Sequence, residues 1–209
     1  MDIRFERNIG ALSLQEQRRL FEKSVCIIGC GGIGSRTAEL LLRAGIGSFT
    51  LIDNGRFNPS DYNRHPLYRP ALDGRFKVTA LRRALLGIEP TCRIETVRKP
   101  CEISPLPPCD LYIDATDSKA AHRHLAQAAP MPLLHAQAFG YIAKIVVSTP
   151  ASKLLSDLYP DLRPVLYPAG RLGAMDAFCA AMLCIKATQI LSSESGKPVE
   201  AGISEYRLI

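Results

Sequence analysis

The 209-residue chain has seven cysteines, an odd number, and none of them forms a C-x-x-C pair. Without paired cysteines neither a zinc ribbon nor a disulfide framework has its ligands, so no zinc is expected and most of the seven read as small buried hydrophobes. Cys30 differs from the rest because it sits inside a glycine turn, where a helix N-terminus can lower a thiol pKa. No uncharged stretch approaches bilayer length, since the longest helical candidate carries Lys186 in its middle. Met1 to Gly10 mixes charged and apolar residues and lacks the apolar core of a signal peptide. These absences predict a cytoplasmic protein with no membrane partner. Repeats and low-complexity blocks are also missing. Lys and Arg outnumber Asp and Glu by 26 to 20, a net charge of +6. The excess lies in scattered patches such as Arg82-Arg83 and Arg98-Lys99, without interleaved aromatics. That pattern fits an anionic small ligand or an acidic protein partner and carries no nucleic-acid signature.

What is present is an ordinary core-forming composition, 47% apolar and 22% charged. The length predicts one domain over residues 1–209, with 1–24 as an N-terminal arm and helix. Val25 to Ser35 reads V-C-I-I-G-C-G-G-I-G-S, an apolar strand that breaks into glycines and opens a helix. Glycines at that junction let backbone N–H groups approach a phosphate, and the helix dipole favours the anion. The G-x-G-x-x-G spacing alone leaves dehydrogenases, flavoproteins and nucleotidyl transferases all open.

Periodicity predicts the rest. Ser13 with Glu16 forms a capping box for a short surface helix to Lys23. Strands are expected at Val25–Ile28, Ser48–Ile52, Cys92–Arg98, Leu111–Ala115, Pro132–Ala136 and Ala143–Ser148, with a final edge strand at Glu205–Leu208. Helices are expected at Ile33–Ala44, Phe76–Leu86, Lys119–Ala129 and Gly173–Leu191. Residues 54–73 and 150–170 read as loops. The alternation implies a Rossmann-like α/β fold, mainly parallel, with helices on the sheet, additional C-terminal strands, a long closing helix and a ligand at the strand C-termini.

Asp53 ends the second strand about twenty residues after the glycines, where a carboxylate bonds a ribose hydroxyl in NAD and ATP sites alike. Arg64 and Lys77 follow, a planar guanidinium and a point charge suited to a polyphosphate; a dehydrogenase has no need of that pair. Asp117 ends the fourth strand. It reads equally as a Mg²⁺ ligand beside a polyphosphate or as the N-cap of the helix that begins near Ser118. His122 and His124, two apart, point to different helix faces and read as surface residues. Cys179 and Cys184 in the apolar helix read as packing.

Taken in order, G-C-G-G-I-G-S at 29–35, L-I-D at 51–53, S-D-Y-N-R-H at 60–65, F-K-V at 76–78 and D-A-T-D at 114–117 resemble the ThiF/MoeB/HesA family, bacterial relatives of ubiquitin-activating enzymes. The likeness covers roughly residues 4 to 191. It implies an ATP-dependent adenylyltransferase that activates a carboxylate with release of pyrophosphate, usually the C-terminal glycine of a ubiquitin-like sulfur carrier in cofactor biosynthesis. On that resemblance Gly29, Gly31, Gly32 and Gly34 hold the phosphates, Asp53 the ribose and Asn63 the nucleotide. Arg64 and Lys77 neutralise phosphate charge, and Asp117 binds Mg²⁺. Family members are homodimers in which an N-terminal arginine, here Arg7, reaches the neighbouring site.

The chain departs from the family at Gly55, where an acidic residue is usual, and at Asp61 and His65, where amides are usual. The zinc cysteines are absent. The stretch that usually carries a crossover loop with a reactive cysteine is short here and has no cysteine. A carboxylate is ionised at neutral pH, so the reaction needs no general base, only alignment and charge neutralisation. Adenylylation of a small carboxylic acid, for example a pyridinol precursor of an iron cofactor, is the alternative substrate reading. An NAD-binding oxidoreductase and a non-catalytic nucleotide-binding module are the alternatives of other classes.

Overall fold

A computed structural model describes residues 2–129, 132–149, 170–193 and 200–207. Of the predicted loop at 150–170, residues 150–169 lie outside them. Seven strands form one sheet in the order β3-β2-β1-β4-β5-β6-β7. They are β1 (Ser24–Ile28), β2 (Ser48–Ile52), β3 (Arg93–Val97), β4 (Leu111–Asp114), β5 (Leu133–Phe139), β6 (Ile142–Ser148) and β7 (Gly202–Arg207). The first five run parallel, while β6 and β7 are antiparallel additions at the β5 edge. The chain order reverses between β1 and β4, and the glycine turn leaves β1 at that point, where open α/β sheets form their ligand crevice.

Five helices flank the sheet among the described residues: α1 (Leu14–Glu22), α2 (Gly32–Ala44), α3 (Lys77–Ile88), α4 (Lys119–Ala128) and α5 (Gly173–Ser192). The Ser13–Glu16 capping box is present, with Glu16 N–H donating to Ser13 Oγ and Ser13 N–H to Glu16 Oε2. Side chains alternate across β1, so that Val25 and Ile27 join one apolar layer and Cys26 and Ile28 the other. The loop after β2 holds two single turns of 3₁₀ helix, Pro59–Asp61 and Pro70–Leu72. By length and composition α5 is apolar enough to cross a membrane. Its residues Met175, Cys179, Leu183, Ala187 and Leu191, spaced four apart, are at most 3% exposed against the sheet, as in a core helix.

The β5 strand continues to Phe139, beyond the expected Ala136, because its antiparallel pairing with β6 runs the whole way to Phe139 opposite Ile142. Likewise β7 starts at Gly202, three residues before the predicted edge strand, where pairing with Val147 begins.

Candidate functional site

The glycine turn leaves β1 at Gly29, whose φ of +89° only glycine adopts freely. Gly34 lies so close to that turn that an added Cβ would stand 1.8 Å from the Gly29 carbonyl oxygen. At Gly32 a Cβ would meet Asp176 Oδ2 at 2.1 Å, so a buried carboxylate occupies that space. Gly31, the N-cap of α2, has nothing within 4 Å of its would-be Cβ and is the open face of the turn. The four glycines thus divide into turn geometry, helix packing, carboxylate contact and free surface.

Asp53 stands beside the turn. Cys30 N–H donates to its Oδ2 and Gly55 N–H to its Oδ1, both at 2.6 Å. Gly55 in turn accepts from the backbone N–H of Lys77, which starts α3. Between the two predicted cations lies Asp61, 1% exposed. Its Oδ1 accepts from Lys77 Nζ at 3.0 Å and from Arg64 Nη2 at 3.1 Å. Burial pushes the Asp61 carboxyl pKa up, but the bonds from Lys77 and the Asn58 backbone and the charges of Lys77 and Arg64 outweigh it, and the net shift is downward. Where the family resemblance puts an amide, this chain places a buried anion that holds Lys77 and Arg64 together.

A second ionic centre closes the crevice. Arg171 donates from Nε to Asp176 Oδ1 at 2.8 Å and pairs through Nη1 with Asp117. Asn63 Nδ2 donates to the Arg171 carbonyl at 2.8 Å, which ties the Asp61 segment to this centre. Asp176 is fully buried at the first turn of α5, and its Oδ2 has no hydrogen-bond partner among the described residues. Burial raises its pKa against the pull of Arg171. Neither Arg171 nor Asp176 emerged from the sequence. The one available signal was Asp176 itself, an acid on the buried stripe of an apolar helix next to Met175, Cys179 and Ala180. Asp117 does not cap α4: Ser118 is the N-cap, its Oγ accepting from Ala121 N–H, and the Asp117 carboxylate is exposed and turned to Arg171.

Two further expectations are corrected. Cys30 is completely buried, and burial, with the charge of Asp53, drives its thiol pKa well up instead of down, so it is no thiolate. His122 is 4% exposed and not a surface residue. The apolar face of α4, marked by Ala121 and Leu125, turns it inward, where its Nδ1 meets Asp114 Oδ2 at 2.6 Å.

His65 braces the turn from below. Leu67 N–H donates to its Nδ1 at 3.2 Å, which leaves the proton on Nε2, and that group donates to the Cys30 carbonyl at 2.9 Å. Burial pushes its pKa down to about 4 from 6.5. Between those values the unfolded chain holds more proton than the native one. The stabilisation is therefore complete above pH 6.5, erodes as pH falls, and is gone below about 4. Urea unfolding at several pH values should show a slope about one proton smaller in His65→Gln than in the parent over that window, or ~1.4 kcal/mol per pH unit. Equal slopes would mean that His65 titrates normally.

Arg7 is exposed on a 3₁₀ segment, Ile3–Asn8, whose Asn8 Nδ2 lies 3.5 Å from the Ala44 carbonyl at the C-terminal end of α2. That is the end opposite Gly31, so the fold does not bring Arg7 to its own glycine turn. The remaining predicted site residues converge: Gly29, Gly31, Gly32, Gly34, Asp53, Asn63, Arg64, Lys77 and Asp117 join one connected network around the N-terminus of α2.

A parallel sheet with a glycine turn at its switch point and convergent cations defines a nucleotide-binding α/β enzyme of the nucleotidyltransferase class. The ThiF family model matches residues 5–208, and the chain belongs to the ThiF family. It is 28% identical to the molybdopterin-synthase adenylyltransferase of Escherichia coli (strain K12), over 98% of this chain and 87% of that protein. A shorter likeness, 41% identical over 81 residues, links 39% of the chain to 18% of the adenylyltransferase and sulfurtransferase MOCS3 of Drosophila willistoni. Among solved structures, E. coli MccB with ATP has a TM-score of 0.77 at 20% identity, covering 99% of this chain and 72% of that one. The E. coli tRNA N6-threonylcarbamoyladenosine dehydratase TcdA has a TM-score of 0.71 at 20% identity, covering 90% and 93%. At such identities the structural likeness speaks to the fold.

Proposed function

We propose that this chain uses ATP to adenylylate the C-terminal carboxylate of a ubiquitin-like sulfur carrier in cofactor biosynthesis. The observation that carries the reading is the joint placement of Lys77 and Arg64 on one buried carboxylate beside the glycine turn. The near full-length similarity to a molybdopterin-synthase adenylyltransferase supports the substrate class. A carboxylate oxygen attacks the α-phosphorus, the bond from that phosphorus to the bridging oxygen breaks, and pyrophosphate leaves. The substrate is already an anion, so the chain's task is alignment and charge neutralisation. The N–H groups of the turn and the α2 dipole receive phosphate oxygens. Lys77 and Arg64 meet the charge that grows on the leaving pyrophosphate, and Asp53 accepts from the ribose.

The family resemblance also implies Mg²⁺. The exposed Asp117 carboxylate and Asp176 Oδ2, which has no hydrogen-bond partner among the described residues, are hard oxygen donors on a shared arginine, the donor type that Mg²⁺ takes. When bound, the ion neutralises phosphate charge. Asp117 and Asp176 are the residues that would hold it.

Active molecules are proposed to be homodimers in which Arg7 serves the neighbouring site; its exposure and its distance from its own turn support this. Exchange of radiolabelled pyrophosphate into ATP should appear only with a carrier ending in Gly-Gly. Exchange driven instead by a small carboxylic acid would replace the carrier with that substrate. Thermal stabilisation by NADH in preference to ATP with Mg²⁺ would overturn the reading in favour of an oxidoreductase. ATP binding with no exchange under any acceptor would leave a binding module.

A further inference from the structure

Beneath the D-A-T-D turn, three metal-ligating groups from three different elements converge. Parallel pairing of β4 with β5 sets Asp114 directly opposite His135, so their side chains project from the same face of the sheet. The buried face of α4 then brings His122 down onto that pair. The two imidazoles approach one carboxylate oxygen, Asp114 Oδ2, from Nδ1 atoms 2.6 Å (His122) and 3.2 Å (His135) away, with their rings nearly perpendicular at 4.6 Å. One ligand atom from each residue lies within 4.8 Å of the others. All three side chains are at most 5% exposed.

We propose that Asp114, His122 and His135 form a structural site for a divalent transition-metal ion, of which zinc is the test case. Zinc holds nitrogen and carboxylate oxygen at about 2.0–2.2 Å in a tetrahedron, which spaces neighbouring ligand atoms by roughly 3.3 Å. The two separations from Asp114 Oδ2, 2.6 and 3.2 Å, lie within one ångström of that spacing, and the two imidazole ligand atoms lie within 4.8 Å of each other. The other carboxylate oxygen is already committed: Asp114 Oδ1 accepts from Thr116 N–H at 3.0 Å and from Thr116 Oγ1 at 2.8 Å. That second contact orients the carboxylate so that Oδ2 faces the imidazoles, as the outer shell of a metal site does. Thr116 Oγ1 also stands 3.5 Å from His122 Nδ1, in place to supply a fourth oxygen directly or through water.

Imidazole nitrogen and carboxylate oxygen are both ordinary zinc ligands. Coordination through an Nδ1 atom requires that atom to be free of its proton, which moves to Nε2 or leaves to solvent. The ion would clamp α4 and β5 to the end of β4, and so fix the turn that carries Thr116 and Asp117. The donor set of imidazole and carboxylate shares no residue with the cysteine pairs on which the expectation of no zinc rested.

Metal analysis of the full chain, grown with added zinc and washed with chelator, should find about one zinc per chain. His122→Gln and His135→Gln should each lose it, while His124→Gln, on the same helix, should keep it. The Co²⁺-loaded parent should show visible d–d bands without a thiolate-to-cobalt charge-transfer band, a readout that does not depend on whether the variants fold. A chain with no stoichiometric metal would overturn the proposal. So would a thiolate band, which would place the ion on cysteine, or equal zinc loss in His124→Gln.

Discussion

Replacing Lys77 with alanine is expected to lower ATP–pyrophosphate exchange by about 10²–10³-fold, the loss typical when one preorganised charge is removed from developing transition-state charge. Lys77 opens α3 and has a side chain only 13% exposed, with Nζ 3.0 Å from Asp61. Its position is determined twice, by that ion pair and by its backbone bond to Gly55, so the charge is held in one place and is not searching solvent. Preorganisation of this kind moves the cost of ordering the cation from the reaction step to folding. Truncation also leaves the buried Asp61 with Arg64 as its remaining side-chain cation. Some loss of stability should follow, and circular dichroism with thermal melts separates it from the catalytic effect. Lys77→Arg should recover part of the exchange, because it restores charge without the point geometry. Exchange in a folded Lys77→Ala within a few-fold of the parent would remove Lys77 from the site.

Gly34→Ala is expected to destabilise the chain by roughly 3 kcal/mol or more, as overpacking against backbone does. The new methyl would stand 1.8 Å from the Gly29 carbonyl and 3.3 Å from Ala115 Cβ. Gly29 cannot retreat easily, since its own would-be Cβ position is 2.7 Å from the Ala115 carbonyl and its φ is already positive. The matched control is Gly31→Ala, where the same methyl meets nothing within 4 Å and φ is −79°. That variant should melt close to the parent yet bind ATP more weakly, because its methyl stands on the open face where phosphate is proposed to sit. Denaturant midpoints and ATP titrations on both variants check the pair. Equal stability of the two would mean that the turn is looser than its contacts indicate.

These contrasts bear on how far residues alone could be read. The strand, turn and helix from Val25 to Ala44 were legible because each signal is local: an apolar run, then glycines, then a helical period. Asp53, Arg64, Lys77 and Asp117 stand out in the sequence because strand ends and the loops after them are where α/β folds collect ligands, and the structure joins the four in one network. Asp61 was visible only as a departure from a family motif, since nothing local says that Lys77, sixteen residues on, returns to it. His122 was misplaced because spacing from His124 says nothing about which face of α4 packs against the sheet.

By itself the sequence determined the Rossmann-like order of elements, the glycine turn after β1 and the core character of α5, because hydrophobic period and glycine spacing act over a few residues at a time. Tertiary structure decided which charges meet. Arg171 reaches Asp117 across 54 residues and Asn63 across 108, and His135 faces Asp114 through strand register alone. Such pairings depend on how helices cross the sheet and on how strands align, and no local pattern encodes either.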